Sequence, residues 1–377
     1  MSRTLSPLLR AGCVLALALP ASLSAQSAGS LIAVHGFLTQ GYGSTNGEPT
    51  AGLTNQASAN YHNATLQLFG RVTSNDQVVI QLNNQHIGSN GLGDVDNRFN
   101  VDWAYASHRF DNGITVKAGK LPMPRGIYNE IRAAGTVLPF YRAPIISYSE
   151  GYETVRGASV TRSFFVESEW ELDATAYAGN WDSNSQRYSA AAPNDPAVRT
   201  SFYDHTIGGQ LWLSTPVEGL RLGLAGLGYH SNGTQVTGDS ITPSSDPTRR
   251  AVVASVDGDF ERFMVRSEVR HQWYLERSTS QRDYYYAQAG LKLPAGFSVN
   301  VQGEAENQER VNRVDSTTYR YVSAKDMALG GRFAFRPNLV FKLEQHWTFG
   351  RSIDRYVAST EDTPRVNYML ASASVGF

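Results

Sequence analysis

Cysteine is nearly absent: the chain of 377 residues has one, Cys13, inside an apolar stretch near the N-terminus. Disulfide staples, cysteine nucleophiles and cysteine-held metals are thereby excluded for everything downstream. An excess of positive charge is missing as well. With 33 Lys and Arg against 34 Asp and Glu, the formal net charge is −1, so the chain has no large basic field with which to hold nucleic acid. Beyond the first 25 residues there is no long apolar run, and nothing approaches the roughly 18 residues that a membrane helix needs. Mean hydropathy is −0.33. Charged residues are sparse at 18%, while hydrophobic ones make up 41%, a balance outside the disordered range. A chain of this length is then two or three soluble domains or one large β architecture.

What is present begins with a removable leader. Arg3 and Arg10 bracket a short basic region, residues 11–19 (AGCVLALAL) are apolar but too short to span a bilayer, and Pro20 precedes the small residues ASLSAQSA. This is the pattern of a secretory signal peptide, residues 1–25, with cleavage expected after Ala25. Cys13 sits within the apolar core, three residues after Arg10, which argues against lipidation. Residues 26–377 read as one domain without Cys.

That domain alternates. Residues 63–72 (NATLQLFGRV) set Ala64, Leu66, Leu68, Gly70 and Val72 against Thr65, Gln67, Phe69 and Arg71. Residues 77–83, 297–306, 327–336 and 339–349 behave alike, the last setting Phe341, Leu343 and Trp347 against Lys342, Glu344 and His346. A period of two means a strand with different surroundings on its two faces, which a soluble antiparallel sheet would also show. Sixteen such segments begin near residues 31, 63, 77, 99, 114, 157, 169, 204, 219, 250, 261, 284, 297, 326, 339 and 365. Short turns such as 73–76, 111–113, 294–296 and 336–338 take turns with long polar stretches such as 45–62, 180–203, 230–249 and 307–324. Each Pro after the leader is read as lying in a turn, a loop or a strand margin, as barrel strands that donate on both sides require. The expected fold class is all-β: a transmembrane antiparallel β-barrel of about 16 strands, with short periplasmic turns and long extracellular loops. Trp103, Tyr105, Trp170, Trp273, Tyr285, Phe335, Trp347 and Phe349 fall near strand ends on the lipid-facing parity, where a belt at the membrane interface would need them.

Residues 367–377 alternate to the very end, with Met369, Ala371, Ala373, Val375 and Phe377 on one face. In residues 116–132 (VKAGKLPMPRGIYNEIR) a strand ending in Gly-Lys is followed by a Pro- and Gly-containing run and Tyr-Asn-Glu. This segment resembles the phosphate-selective porin O and P family, and the whole pattern after the leader resembles the bacterial outer-membrane porins in general. The resemblance implies a cell outer-membrane location among outer-membrane lipid and a homotrimer. It also implies that Phe377 is the assembly signal read by the barrel-assembly machinery, and that a third loop folds inward to narrow the pore. Phosphate itself does not carry over, since no dense Arg ladder is visible.

The longest connection, residues 120–156, is the expected constricting loop. Loops of this length are uncommon unless functional, and Ile127, Tyr128, Ile131, Val137, Leu138, Phe140 and Tyr141 give it apolar groups to pack on a barrel wall. Between 120 and 142, Lys120, Arg125, Arg132 and Arg142 are opposed by Glu130 alone. Cations at a narrow, partly dehydrated point ease the entry of anions. On the lumen parity stand the bases Arg71, Lys117, Arg221, Arg262, Arg266, Arg270, Lys292, Arg332 and Lys342, and the acids Asp102, Glu169, Glu171, Asp173, Glu268, Glu304 and Glu344. The expected function is passive diffusion of small hydrophilic solutes, with a preference for anions. No His-Glu-x-x-His, Gly-x-Ser-x-Gly or phosphate-cradling glycine loop occurs, so no catalytic residue, cofactor or metal is expected. Asp94 with Asp96 and Asp257 with Asp259 read as polar turns rather than Ca²⁺ sites. The alternative is a barrel hydrolase or an adhesin-like binding barrel.

Overall fold

The structure is a computed structural model. It describes residues 32–47, 50–88, 96–148, 154–165, 169–189, 192–237, 240–275, 281–311, 318–350 and 365–377; the expected leader and Asp94 lie outside them. Sixteen strands follow in chain order: β1 Ile32–Thr45, β2 Ser58–Arg71, β3 Asp76–Ile87, β4 Asp96–Arg109, β5 Thr115–Pro122, β6 Thr154–Phe165, β7 Glu171–Ser189 and β8 Ala192–Ser214. The second half continues with β9 Leu220–Thr237, β10 Ser240–Asp259, β11 Phe263–Tyr274, β12 Arg282–Lys292, β13 Phe297–Val311, β14 Thr318–Arg336, β15 Leu339–Gly350 and β16 Arg365–Gly376. Each pairs antiparallel with its neighbours in sequence, and β1 pairs with β16, so the sheet is a closed barrel. Closure satisfies every ladder and leaves no edge, which is what a sheet in hydrocarbon requires.

The two faces are inverted relative to a soluble protein. Outward-facing Leu224, Val301, Leu343 and Met369 are about half exposed, whereas Gln302, Glu304, Lys342 and Glu344 are buried inside. Val301→Arg would set a cation against hydrocarbon and should cost roughly 2–4 kcal/mol. Gln67→Arg, on the inward face of β2, should refold like the parent. Refolding yield, read from the mobility of unheated protein on a gel, checks the pair; equal yields would mean that the faces are misassigned.

Three features depart from the sequence reading. Residues 180–203 and 230–249, expected as loops, are mostly strand: β7 to β10 run to 19, 23, 18 and 20 residues, and Asn184 pairs with Thr200. These hairpins outreach their neighbours, and beyond the lipid both faces are wet, so the apolar alternation that marks a strand disappears. For the same reason Pro193 and Pro196 stand in β8 and Pro243 and Pro247 in β10, not in turns or strand margins. Thirdly, Tyr105 faces inward. Gln81 sits opposite Trp103 and Leu82 opposite Val101, so Asp102 is an extra residue in β4. This bulge flips the parity beyond it and packs Tyr105 against an interior cluster that includes Leu121 and Tyr177.

The seam is completed by the last residue. Phe377 and Gly36 exchange backbone hydrogen bonds, both at 3.0 Å. The Phe377 ring lies so close over Gly36 that a Cβ there would overlap it.

Candidate pore constriction

β5 stops at Pro122, and Pro124 and Gly126 (φ 68°) turn the chain away from the sheet. Residues 123–148 then enter the barrel. Ile127, Tyr128, Leu138, Ala143 and Tyr148 pack with Tyr286 of β12, and the Tyr141 ring lies 4.8 Å from that of Tyr61 on β2. A segment without regular structure must find partners for its backbone groups once it is buried. The barrel wall supplies them.

Three carboxylates take loop donors. Glu268 on β11 accepts from the Ile127 N–H at 2.8 Å and from the Tyr148 hydroxyl. Glu304 on β13 accepts from three consecutive N–H groups, Ile145 and Ile146 at 2.9 Å and Ser147 at 3.3 Å. Glu344 on β15 accepts from the Tyr141 N–H at 2.9 Å. Two cations take loop carbonyls: Lys342 donates to Gly135 at 2.6 Å and Phe140 at 2.7 Å, and Arg332 to Thr136 at 2.8 Å. Gln210 on β8 donates to the Gly126 carbonyl at 3.1 Å. Hydrogen bonds to charged groups contribute about 1.5–3 kcal/mol each, so this set holds the loop across the lumen.

The sequence-derived site residues therefore divide. Arg125, Arg132 and Arg142 lie on the inserted loop, and Glu130 is its exposed acid. Arg142 donates to the Tyr61 hydroxyl at 3.2 Å, and the Arg125 guanidinium lies 5.4 Å from the Tyr148 ring centre. Burial, and after it the nearby Arg270, push Arg125 below its ordinary value. Burial likewise pushes the Tyr128 phenol up to about 12, so it stays a neutral hydroxyl.

Lys120 is elsewhere. The strand alternation runs on through Leu121, which packs inside, so Lys120 falls on the opposite face of β5 and donates to the Val101 carbonyl at 2.5 Å. Arg332 and Lys342, expected to front channel water, are taken up by the loop. Arg266 is engaged by Asp257 at 2.9 Å and by the Tyr128 hydroxyl at 3.2 Å. Lys117 lies over Tyr105 at 5.4 Å and Arg270 over Tyr284 at 3.8 Å. Arg262 belongs to the exposed turn between β10 and β11, and Arg71 is the exposed last residue of β2.

Asp257 also pairs with Arg221 at 2.7 Å, and Asp259 with Lys292 at 2.5 Å, so these carboxylates are spent on cations. Among the described residues no group of His, Cys, Asp and Glu is arranged to hold a metal. His346 pairs with Asp326 at 2.8 Å, His108 with Asp76 at 2.7 Å and His62 with Asn84 at 2.8 Å. One interior feature had no sequence signal. Trp181 and Tyr203 stack at 3.6 Å with Tyr229 edge-on, filling the lumen beside the root of the loop, and the first two belong to the polar run that reads as a loop.

No protein-family model matches the sequence, and no curated protein does. Solved structures do match in shape. The OmpT outer membrane protein of Vibrio cholerae, in a trimer form, superposes with a TM-score of 0.55 at 11% identity, over 92% of this chain and 99% of that one. The outer membrane channel DcaP of Acinetobacter baumannii gives 0.55 at 11% identity, over 92% and 97%. The anion-selective porin from Comamonas acidovorans gives 0.51 at 10% identity, over 92% and 99%. In fold, this chain is a porin-type barrel. That likeness reaches porins in general and does not single out the phosphate-selective O and P family.

Proposed function

We propose that this chain is an outer-membrane porin that lets small hydrophilic solutes diffuse passively, with a preference for anions. The carrying observation is the closed barrel narrowed by residues 123–148, with Arg125, Arg132 and Arg142 on the loop against Glu130. Cations placed where solutes shed part of their hydration act with less screening than on an open surface. In the same reading, residues 1–25 direct export, Phe377 engages the barrel-assembly machinery, and the working form is a homotrimer in outer-membrane lipid. The trimer form of the Vibrio cholerae neighbour and the anion selectivity of the Comamonas acidovorans one support it. The likeness of residues 116–132 to the phosphate-selective porins supports an anionic solute class without naming the solute.

Purified protein in a planar bilayer tests the proposal. Stepwise conductance, with a reversal potential in a salt gradient displaced toward that of the anion, is expected. An intact barrel that conducts nothing but hydrolyses a lipid or peptide would replace the porin with a barrel hydrolase. One that only binds a surface ligand would make it an adhesin-like barrel.

A further inference from the structure

At the root of the loop, a small recess lies between the inserted segment and the wall, lined by Arg125, Ser147, Tyr148, Glu268, Arg270 and Tyr284 among others. Two guanidiniums meet there, Arg125 from the loop and Arg270 from β11, each lying against a tyrosine ring. Like charges brought together in a partly dry space repel unless a counter-charge is near. Among the described residues lining the recess the one carboxylate is Glu268, which acts on Arg125 as a counter-charge but stands against two guanidiniums. Glu268 Oε1 accepts from the Ile127 N–H at 2.8 Å and the Ser255 hydroxyl at 2.6 Å, and Oε2 accepts from the Tyr148 hydroxyl. Two donors lining the recess remain unused: Arg270 Nε and Ser147 Oγ are buried and have no hydrogen-bond partner. Buried donors of that kind are normally satisfied.

We propose that this recess binds a small monovalent anion, chloride in the simplest case, held between the Arg125 and Arg270 guanidiniums and the Ser147 hydroxyl. The bound ion offsets the repulsion between loop and wall, so it seats the loop as well as marking a resting point for permeating anions. The site deepens the porin reading, but it can be tested without conduction.

Crystals of the purified protein grown in bromide should show an anomalous peak between Arg125 and Arg270. In detergent solution, the temperature that unfolds the barrel should be about 2 °C higher in chloride than in gluconate at equal ionic strength. Arg270→Gln should lose that increment. Acetate should reproduce the chloride effect if a carboxylate head also fits, and should resemble gluconate if the recess takes only halides; either result upholds the site. An empty recess in the bromide map, or a chloride increment that survives in Arg270→Gln, would overturn it. Should that variant fail to fold, the bromide map of the parent still decides. A parent that conducts but shows no peak loses the recess alone, and one that shows the peak but does not conduct loses the porin alone.

Discussion

Glu304→Ala should raise single-channel conductance about two-fold or more while leaving the barrel folded. The Glu304 carboxylate is the shared acceptor of three consecutive loop N–H groups, those of Ile145, Ile146 and Ser147. Its removal strands three donors, two of them buried, and each unmet buried donor costs about 1–3 kcal/mol. The loop recovers that loss only by carrying those groups into channel water, away from the wall. The ladder of β13 does not depend on the side chain, because its pairing with β12 and β14 runs through the backbone. Gel mobility of the unheated variant should therefore match the parent while its conductance step grows. Glu304→Gln, which keeps the shape but loses the charge and one acceptor oxygen, should fall between. An Ala variant with parental conductance and parental mobility would show that Glu304 does not hold the loop.

Changing Arg125, Arg132 and Arg142 together to Gln should move the reversal potential in a dilute salt gradient from anion-favouring to near neutral. These three stand on the segment that crosses the lumen, opposed on it by Glu130. Salt screens their field over about 8 Å at physiological strength, so the parent's preference should fade as the salt concentration rises. Lys120→Gln and Arg250→Gln are the controls. Lys120 is turned away from the lumen, and Arg250 alternates with the inward residues Ala251 and Val253 of β10, so neither should alter selectivity appreciably. A parent that favours cations would refute the anion preference and leave the channel standing. A control that shifts selectivity as far as the triple variant would place the selecting charges outside the loop.

Much of the barrel was legible because lipid and water are such different surroundings. Where a strand has hydrocarbon on one side and the lumen on the other, as in β13 or β15, alternation fixes both its existence and its facing, and the expected starts at 297 and 339 coincide with Phe297 and Leu339. That signal fails where the two surroundings become alike, which is why the outer parts of β7 to β10 read as loops. It also fails at Asp102, since one inserted residue reverses every face that follows. The inserted loop was legible as a long connection with apolar anchors, but its docking was not. Glu268, Glu304, Lys342 and Glu344 read as lumen charges, and nothing near them in sequence reveals that a distant backbone will claim them. Lys120 was misplaced by proximity: it adjoins the loop in sequence while belonging to the strand.

The loop's ties also impose an order on assembly. The Tyr141 N–H meets a partner 203 residues further along the chain, and the Ile145 N–H one 159 residues further. Contacts of such separation cannot form until the later strands are in place, and the entropy of bringing them together is met late. The strands whose charged side chains hold the loop, β11 and β13 to β15, all follow it in the chain. During maturation the lumen is consequently wide first and narrow last. A protein arrested before β15 docks would leave an unrestricted hole rather than a smaller version of the finished channel, and its leakage of large solutes would be the sign of that arrest.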